Sequence, residues 1–342
     1  MMRYNPALDG IRALSILAVI LFHCDVPWGG GGFIGLDVFF VLSGYLITSL
    51  LAAEHHSGGI AIGQFYARRA LRLYPTLLLL IAAYVLLAPA LWPTDNKWLI
   101  AGLTGFYLMD YALAFWNLPL TIGHTWSLGI EEKFYLLWPL VLPFLLRTRR
   151  PIVWLFAAFI AVTAWRYYVT VTWGWQQGYF SFDTRMSGIL IGAIAALLPL
   201  KMSRHAVIVA CGALIIVVAA PFMPSVPARL AAEGVTLIVT LAELSAFVIV
   251  RYAADHGTGS LLLASPPLVY IGRLSYGIYL WHWPVVFLLK DVHHQPWWIS
   301  LSATVMFSFA MAVLCLKFVD MPIKRWRERA WAPRQRATAT AA

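Results

Sequence analysis

The chain has 342 residues, of which 61% are hydrophobic and only 12% are charged. Soluble domains average about 25% charged residues, so the composition excludes an ordinary soluble protein and indicates an integral membrane protein. Half of the net charge of +10 lies in one segment after the last apolar run, which indicates a lipid bilayer and no nucleic acid as the partner.

Apolar runs of about 20 residues without an alternating pattern predict spanning helices and not barrel strands. Basic residues mark the cytoplasmic loops, and this rule gives about ten transmembrane helices with both termini cytoplasmic. The fold class is therefore an all-α polytopic membrane protein, with a retained first helix because no small-residue cleavage site follows it. The predicted spans are 12–27, 33–53, 73–91, 133–146, 152–171, 185–200, 206–221, 230–250, 268–290 and 297–317.

The segment 98–132 cannot be assigned as a simple crossing of the membrane. The loop charges require an odd number of crossings between 98 and 146, although this stretch contains two apolar runs. We therefore predict a re-entrant segment near 98–132, whose non-helical backbone must be satisfied by protein or by a water-filled cavity. The chain is predicted to form a single transmembrane domain at 1–320 and a flexible basic cytoplasmic tail at 321–342.

Arg12 and His23 lie eleven residues apart in the first span. At about 100° per residue they return to nearly the same helix face, roughly 16 Å apart along the axis. Ionisable groups near hydrocarbon are costly and are functional candidates by default. A histidine can act as a general base near neutral pH; the alternative is that His23 only caps a helix end beside Asp25.

Arg68, Arg69 and Arg72 form a basic cluster that is predicted to lie in a cytoplasmic loop just before the third span. Arg68 and Arg72 share a face at i and i+4, and such a cluster suits bidentate recognition of phosphate. Basic anchors at the cytoplasmic surface of a membrane have the same appearance, so that alternative stays open.

The stretch His124–Tyr135 places a histidine and two adjacent carboxylates at the start of an apolar run. Glu131 and Glu132 point about 100° apart on a helix, so a shared-proton pair is not expected. One should orient or charge the site, and the other should pair, with Lys133 as a candidate partner. The alternative is that the two glutamates only complement the positive end of the helix dipole at a helix N-terminus. That alternative leaves three residues without a role: His124, Trp126 and Ser127.

Three further residues, a charged pair and a histidine, remain as candidates. Asp183 and Arg185 are either a local ion pair at a helix end or part of an acceptor site. His282 sits among interfacial aromatic residues and is predicted to be structural rather than catalytic.

Six motifs in chain order resemble those of the acyltransferase-3 family of bacterial integral membrane O-acyltransferases. They are Leu8–Ala13 followed by His23, Gly35–Tyr45, Arg68–Arg72, His124–Tyr135, Phe182–Arg185 and Ser275–Trp283. The resemblance covers nearly the whole chain. It departs from the family pattern at Lys133, where the family often has Gln, and the extra extracytoplasmic esterase-like domain of some members is not expected after the last span.

The resemblance implies an enzyme of the bacterial inner membrane that transfers an acyl group from cytoplasmic acyl-CoA to a hydroxyl. Acetyl-CoA is the expected donor, no metal is expected, and the acceptor is a cell-envelope glycan, a lipid-linked sugar or a secreted metabolite. Arg12 and His23 match the family's Arg-x10-His motif and, with Glu131, are the candidate catalytic residues. The arginine cluster at 68–72 would hold the coenzyme A phosphates. The candidate substrate-binding residues are His124, Trp126, Ser127, Glu132, Asp183 and Arg185.

The expected mechanism is direct transfer. His23 removes the proton of the acceptor hydroxyl, which attacks the thioester, and Arg12 or a nearby polar group stabilises the tetrahedral intermediate. The competing class is a transporter or flippase for a glycan or an anionic substrate, because buried charges and a re-entrant segment occur there too.

Overall fold

The computed structural model describes residues 4–116, 121–220, 228–257 and 262–330, and these residues contain no strand. Its α-helices are α1 Pro6–His23, α2 Gly35–His56, α3 Ile62–Leu91, α4 Lys97–Gly105, α5 Met109–Phe115, α6 Trp126–Leu146, α7 Pro151–Thr172, α8 Trp175–Phe180, α9 Phe182–Leu197, α10 Arg204–Val218, α11 Ala228–His256, α12 Pro266–Val286, α13 Trp297–Cys315 and α14 Met321–Ala330. The predicted all-α class is confirmed.

Seven helical stretches of the described chain are long and apolar enough to cross a membrane. They contain α1, α2, α3, α7, α9, α11 and α13. The other three predicted spans are occupied by α6, α10 and α12. The protein is therefore a multi-pass membrane protein, and its long helices correspond one to one with the predicted spans.

The segment predicted to be re-entrant is a broken chain of short helices. α4 has 9 residues and α5 has 7, and a helix of either length is far shorter than the roughly 20 residues that cross a bilayer. Between them Tyr107 has a φ of 57°. The ammonium group of Lys133 donates to the Tyr107 carbonyl at 2.6 Å and to the Asp110 carboxylate at 2.7 Å. Residues 117–120 of this segment lie outside the described residues.

Glycines allow the central helices to pack closely. A Cβ atom at Gly272 of α12 would lie 1.9 Å from the Asp9 carbonyl oxygen of α1, and one at Gly44 of α2 would lie 2.0 Å from the Ile189 carbonyl oxygen of α9. Small residues at such crossings are the usual means of close helix packing in a membrane. They hold α1 against α12 and α2 against α9.

Several helices begin earlier than the apolar runs predict. α3 begins at Ile62 instead of residue 73, so the arginine cluster lies within the helix and not in a loop before it. α6 begins at Trp126 instead of residue 133 and therefore includes the two glutamates. An apolar run marks only the part of a helix that lies in hydrocarbon, whereas the hydrogen-bonded helix continues into more polar surroundings.

The segment predicted as a tail begins as a helix. α14 covers Met321–Ala330, and residues 331–342 lie outside the described residues.

Candidate active site

A cavity of about 770 Å³ runs between α1, α2, α3, α6, α12 and α14. Its lining follows α2 from Leu36 to Ser57, a rise of about 30 Å, which is comparable to the hydrocarbon thickness of a bilayer. Arginines lie at one end of the cavity, here called the arginine end. Leu36, Ser127 and Tyr279 lie at the other, here called the histidine end because three histidines lie just beyond it.

Five arginines line the cavity, and four of them were candidates from the sequence. They are Arg12, Arg68, Arg69, Arg72 and Arg327. The sequence did not single out Arg327, because its α14 segment was predicted to be a flexible tail. Basic residues that only anchored the protein to lipid would face outward, whereas these face an internal cavity.

The arginines differ in whether a carboxylate neutralises them. Arg12 pairs with Asp9 at 2.7 Å and Arg68 pairs with Glu54 at 2.7 Å. Among the described residues, neither Arg69 nor Arg72 has a carboxylate within 4.0 Å. Instead, the Arg69 guanidinium lies 3.7 Å from the centre of the Tyr135 ring. The arginine end therefore keeps an excess of positive charge.

The two glutamates of α6 have separate environments, as their spacing predicted. Glu131 lines the cavity and accepts a hydrogen bond of 2.6 Å from the Ser43 hydroxyl of α2. Glu132 does not line the cavity, and its Oε1 has no hydrogen-bond partner among the described residues. The suggested pairing of a glutamate with Lys133 is wrong, because Lys133 binds the Asp110 carboxylate.

Three histidines from distant parts of the chain meet beyond the histidine end. His23 Nδ1 of α1 lies 2.9 Å from His282 Nε2 of α12. His124 stands edge-on to His282, with ring centres 5.5 Å apart. The contact between His282 and His23 could not be predicted from the sequence, because the two residues are 259 positions apart.

A layer of hydroxyl groups separates the cavity from these histidines. The Tyr279 hydroxyl donates to the His124 carbonyl, and the Ser127 hydroxyl lies 2.6 Å from the Tyr279 oxygen. Since the single Tyr279 proton is used on the carbonyl, Ser127 donates to Tyr279. The His124 ring donates from Nε2 to the Leu280 carbonyl at 3.1 Å. Ser127 was a candidate from the sequence, whereas Tyr279 was missed.

Arg12 and His23 do not meet. Both lie on α1, but their separation of eleven residues is about 16 Å along the axis, and only Arg12 lines the cavity. Arg12 binds Asp9 at the first turn of α1. One group therefore belongs to the arginine end and the other to the histidine end.

Asp183 and Arg185 do not pair with each other, so a local ion pair is excluded. Asp183 accepts a hydrogen bond of 2.6 Å from the Trp165 indole. Arg185 is fully buried and binds Asp37 at 2.8 Å. Its guanidinium carbon lies 4.7 Å from the Tyr179 ring centre and 5.9 Å from that of Trp126. None of these side chains lines the cavity.

A second buried ion pair was not singled out by the sequence reasoning. Arg166 of α7 binds Glu243 of α11 at 2.9 Å, and both side chains are 0% exposed. The Ser187 hydroxyl donates to the same carboxylate at 2.6 Å. The sequence does contain a sign of this pair, because Arg166 and Glu243 are each a lone charged residue within an apolar run.

The helical bundle and its charged internal cavity define a multi-pass membrane protein whose cavity runs along most of α2. A family model described as an acyltransferase domain matches residues 5–318. The chain therefore belongs to the acyltransferase-3 family, and the resemblance drawn from its motifs is confirmed.

Two relatives illustrate the match. The O-acetyltransferase OatA of Staphylococcus aureus strain NCTC 8325 is 32% identical over 361 residues, which cover 96% of this chain and 59% of that protein. A putative O-acetyltransferase of Staphylococcus aureus strain MSSA476 is 31% identical over 372 residues, which cover 97% of this chain and 59% of that protein. The chain thus spans about three fifths of the length of these relatives. No solved structure matches the chain.

Proposed function

We propose that this chain is a membrane O-acyltransferase that moves an acyl group, in the first instance acetyl, from cytoplasmic acyl-CoA to an acceptor hydroxyl on the other side of the membrane. The observation that carries the proposal is the cavity itself, which extends along most of α2 from a cluster of arginines to the hydroxyls of Ser127 and Tyr279. The three histidines meet directly behind these hydroxyls. Membership of the acyltransferase-3 family supports the same reaction class.

The arginine end suits the phosphate groups of coenzyme A. Arginine presents a planar fork of donors that binds phosphate in a bidentate manner. In the part of the chain that the structure describes, Arg69 and Arg72 have no carboxylate partner to give up on binding. Arg327 adds a further cation at the same end. The positive-inside rule, applied to the loop charges, supports a cytoplasmic location for this end, where coenzyme A is available.

The middle of the cavity suits the uncharged arm of the donor. Its lining there is largely apolar and includes Phe39, Leu46 and Leu50. A thioester carried on this arm would be brought to the histidine end, while the phosphates stay bound at the arginine end.

His23 acts as the general base. It takes the proton from the acceptor hydroxyl, and the hydroxyl oxygen attacks the carbonyl carbon of the thioester. The tetrahedral intermediate then expels coenzyme A by cleavage of the carbon–sulfur bond. The thiolate takes up the proton from the His23 imidazolium, which restores the neutral base. No covalent acyl-enzyme is required.

The role first considered for Arg12 must change, because Arg12 is too far from His23 along α1 to contact the same carbonyl group. We assign Arg12 to donor binding. The Ser127 hydroxyl lies at the histidine end of the cavity, and we assign it as the donor to the negative oxygen of the intermediate. For this its proton turns away from the Tyr279 oxygen, while the Tyr279 proton stays on the His124 carbonyl and keeps that side chain in place. Glu131, held by Ser43, contributes negative charge that helps to orient the arginines.

The acceptor is a hydroxyl of a cell-envelope glycan, a lipid-linked sugar or a secreted metabolite. The bacterial cytoplasmic membrane gives access to all three from its outer surface. Each would approach His23 from the side opposite the arginine end.

A labelling experiment tests the proposal. Membranes containing the protein are incubated with labelled acetyl-CoA and a cell-envelope extract, and the label is followed into glycan, lipid and small-molecule fractions. The wild type should transfer label and the His23→Ala variant should not. His205→Ala, which changes an exposed histidine at the start of α10, is the matched control and should behave as wild type.

The possible results separate the function classes. Full labelling by His23→Ala would refute the assignment of the base. Movement of an unmodified substrate across the membrane without any covalent label would support a transporter in place of the enzyme.

A further inference from the structure

His282 is a fully buried histidine that takes no direct part in the proposed reaction. It is 0% exposed and lies on α12, one turn beyond Tyr279. Its Nε2 lies 2.9 Å from His23 Nδ1, and its Nδ1 lies 2.6 Å from the backbone carbonyl oxygen of Tyr279. The two imidazole planes are inclined by only 16°, and their ring centres are 5.1 Å apart. With the facing nitrogens 2.9 Å apart, this separation means that the rings meet edge to edge and not face to face.

These contacts determine which ring nitrogens carry protons. A backbone carbonyl can only accept a hydrogen bond, so His282 Nδ1 must be the protonated nitrogen. In neutral His282 the other nitrogen, Nε2, is then an acceptor. His23 Nδ1 must therefore carry a proton and donate it to His282. In neutral His23 this leaves Nε2 unprotonated.

An unprotonated Nε2 is what a general base needs, because its lone pair receives the proton of the acceptor hydroxyl. His23 is partly exposed, whereas His282 is not. The partly exposed residue of the pair is thus the one whose Nε2 is left unprotonated.

We propose that His282 is a positioning residue that holds His23 in the tautomer and orientation required of the base. This inference rests on the proposed function. During transfer, the acceptor proton binds His23 Nε2, while His23 Nδ1–H continues to donate to His282 Nε2. The coenzyme A thiolate later removes the proton from Nε2. The proton on His282 Nδ1 does not move, so the charge balance involves His23 alone.

The surroundings of the pair are consistent with this role. His124 faces His282 from the turn before α6, with its Nε2 proton committed to the Leu280 carbonyl. Lys290 binds Asp25 at 2.9 Å, and its ammonium group lies 3.4 Å from the His23 carbonyl oxygen. The ammonium group of Lys290 therefore contacts the Asp25 carboxylate and the His23 backbone.

Two substitutions of nearly equal size test the proposal. Gln places a carbonyl oxygen near the position of Nε2 and can accept from His23, whereas Met offers only a weakly accepting thioether. His282→Met should lower kcat by about 10–100-fold, the range known for loss of the hydrogen-bond partner that orients a metal-bound histidine. His282→Gln should stay within about 10-fold of wild type. Neither variant should change the KM for acetyl-CoA, because the arginine end is untouched.

Equal kcat values for the Gln and Met variants would overturn the proposal, whether both were high or both low. Loss of activity in His23→Ala together with such equal values would refute only the role of His282. Full activity of His23→Ala would refute the proposed base itself.

A spectroscopic measurement does not depend on how the variants fold. In the wild-type protein labelled with ¹⁵N-histidine, the His23 signals are identified by their loss in His23→Asn. The chemical shifts should be those of a protonated Nδ1 and an unprotonated Nε2 at neutral pH. A protonated Nε2 in the neutral ring would overturn the proposal.

Discussion

Replacement of Arg72 by alanine should weaken donor binding and leave the turnover of the saturated enzyme nearly unchanged. Arg72 lines the cavity and, among the described residues, has no carboxylate within 4.0 Å. Its removal therefore leaves no unpaired negative charge in the protein, and the loss should fall on the bound phosphate.

The size of the effect follows from one charge-assisted hydrogen-bonded contact. Such contacts contribute about 1.5–3 kcal/mol, and about 1.4 kcal/mol corresponds to a factor of ten in affinity. The KM for acetyl-CoA should thus rise about 10–150-fold. Arg72→Lys should give an intermediate rise, because an ammonium group keeps the charge but lacks the planar fork.

The assay is the initial rate of label transfer at varied acetyl-CoA and fixed, saturating acceptor. Competition by free coenzyme A gives an affinity for the same site that does not depend on the chemical step. Arg147→Ala is the control, because Arg147 is an exposed arginine at the end of α6 that does not line the cavity. If Arg72→Ala and Arg147→Ala both left the KM and the competition unchanged, the cluster would be a membrane anchor and the donor site would lie elsewhere.

Three further changes are expected to act through different parts of the structure. Glu243→Ala should destabilise the protein by about 3–5 kcal/mol, because it leaves buried Arg166 without its carboxylate. Thermal unfolding in detergent should show this loss of stability. The double variant Arg166→Met, Glu243→Leu should recover much of the lost stability. Gly272→Ala should force α1 and α12 apart, since the new Cβ would lie 1.9 Å from the Asp9 carbonyl oxygen, and should lower both unfolding temperature and transfer rate. Arg327→Ala should raise the KM for acetyl-CoA without a change in unfolding temperature, and an unchanged KM would remove α14 from the donor site.

The sequence was sufficient to predict the membrane architecture. Loop charges and apolar runs gave ten spans, and the parity of the loop charges singled out 98–132 as a segment that does not cross. α4 and α5 are indeed too short to span. The all-α class and the positions of the long helices were predicted correctly, because both depend on local composition and on the cost of placing charge in hydrocarbon. The orientation of the helices in the membrane stays a prediction.

The pairing of side chains could not be predicted in the same way. In a soluble protein an apolar stripe indicates the face that packs on the core. In a membrane protein lipid is as apolar as the core, so hydropathy does not distinguish a lipid-facing residue from a buried one. The partners Arg185 and Asp37, and likewise His23 and His282, are 148 and 259 positions apart, and no periodic pattern links them.

The distribution of charge along the cavity explains how one site could use substrates from two compartments. In the proposed reaction the phosphates of the donor stay with the arginines, because carrying them through hydrocarbon would be costly. Only the neutral arm and its thioester enter the apolar middle of the cavity. The histidine end meets them with the neutral hydroxyls of Ser127 and Tyr279 and, beyond these, with His23. A transporter of an anionic substrate would instead need cationic groups at successive depths. Among the described residues that line the cavity, the arginines lie at one end only, which favours transfer of an acyl group over passage of an anion.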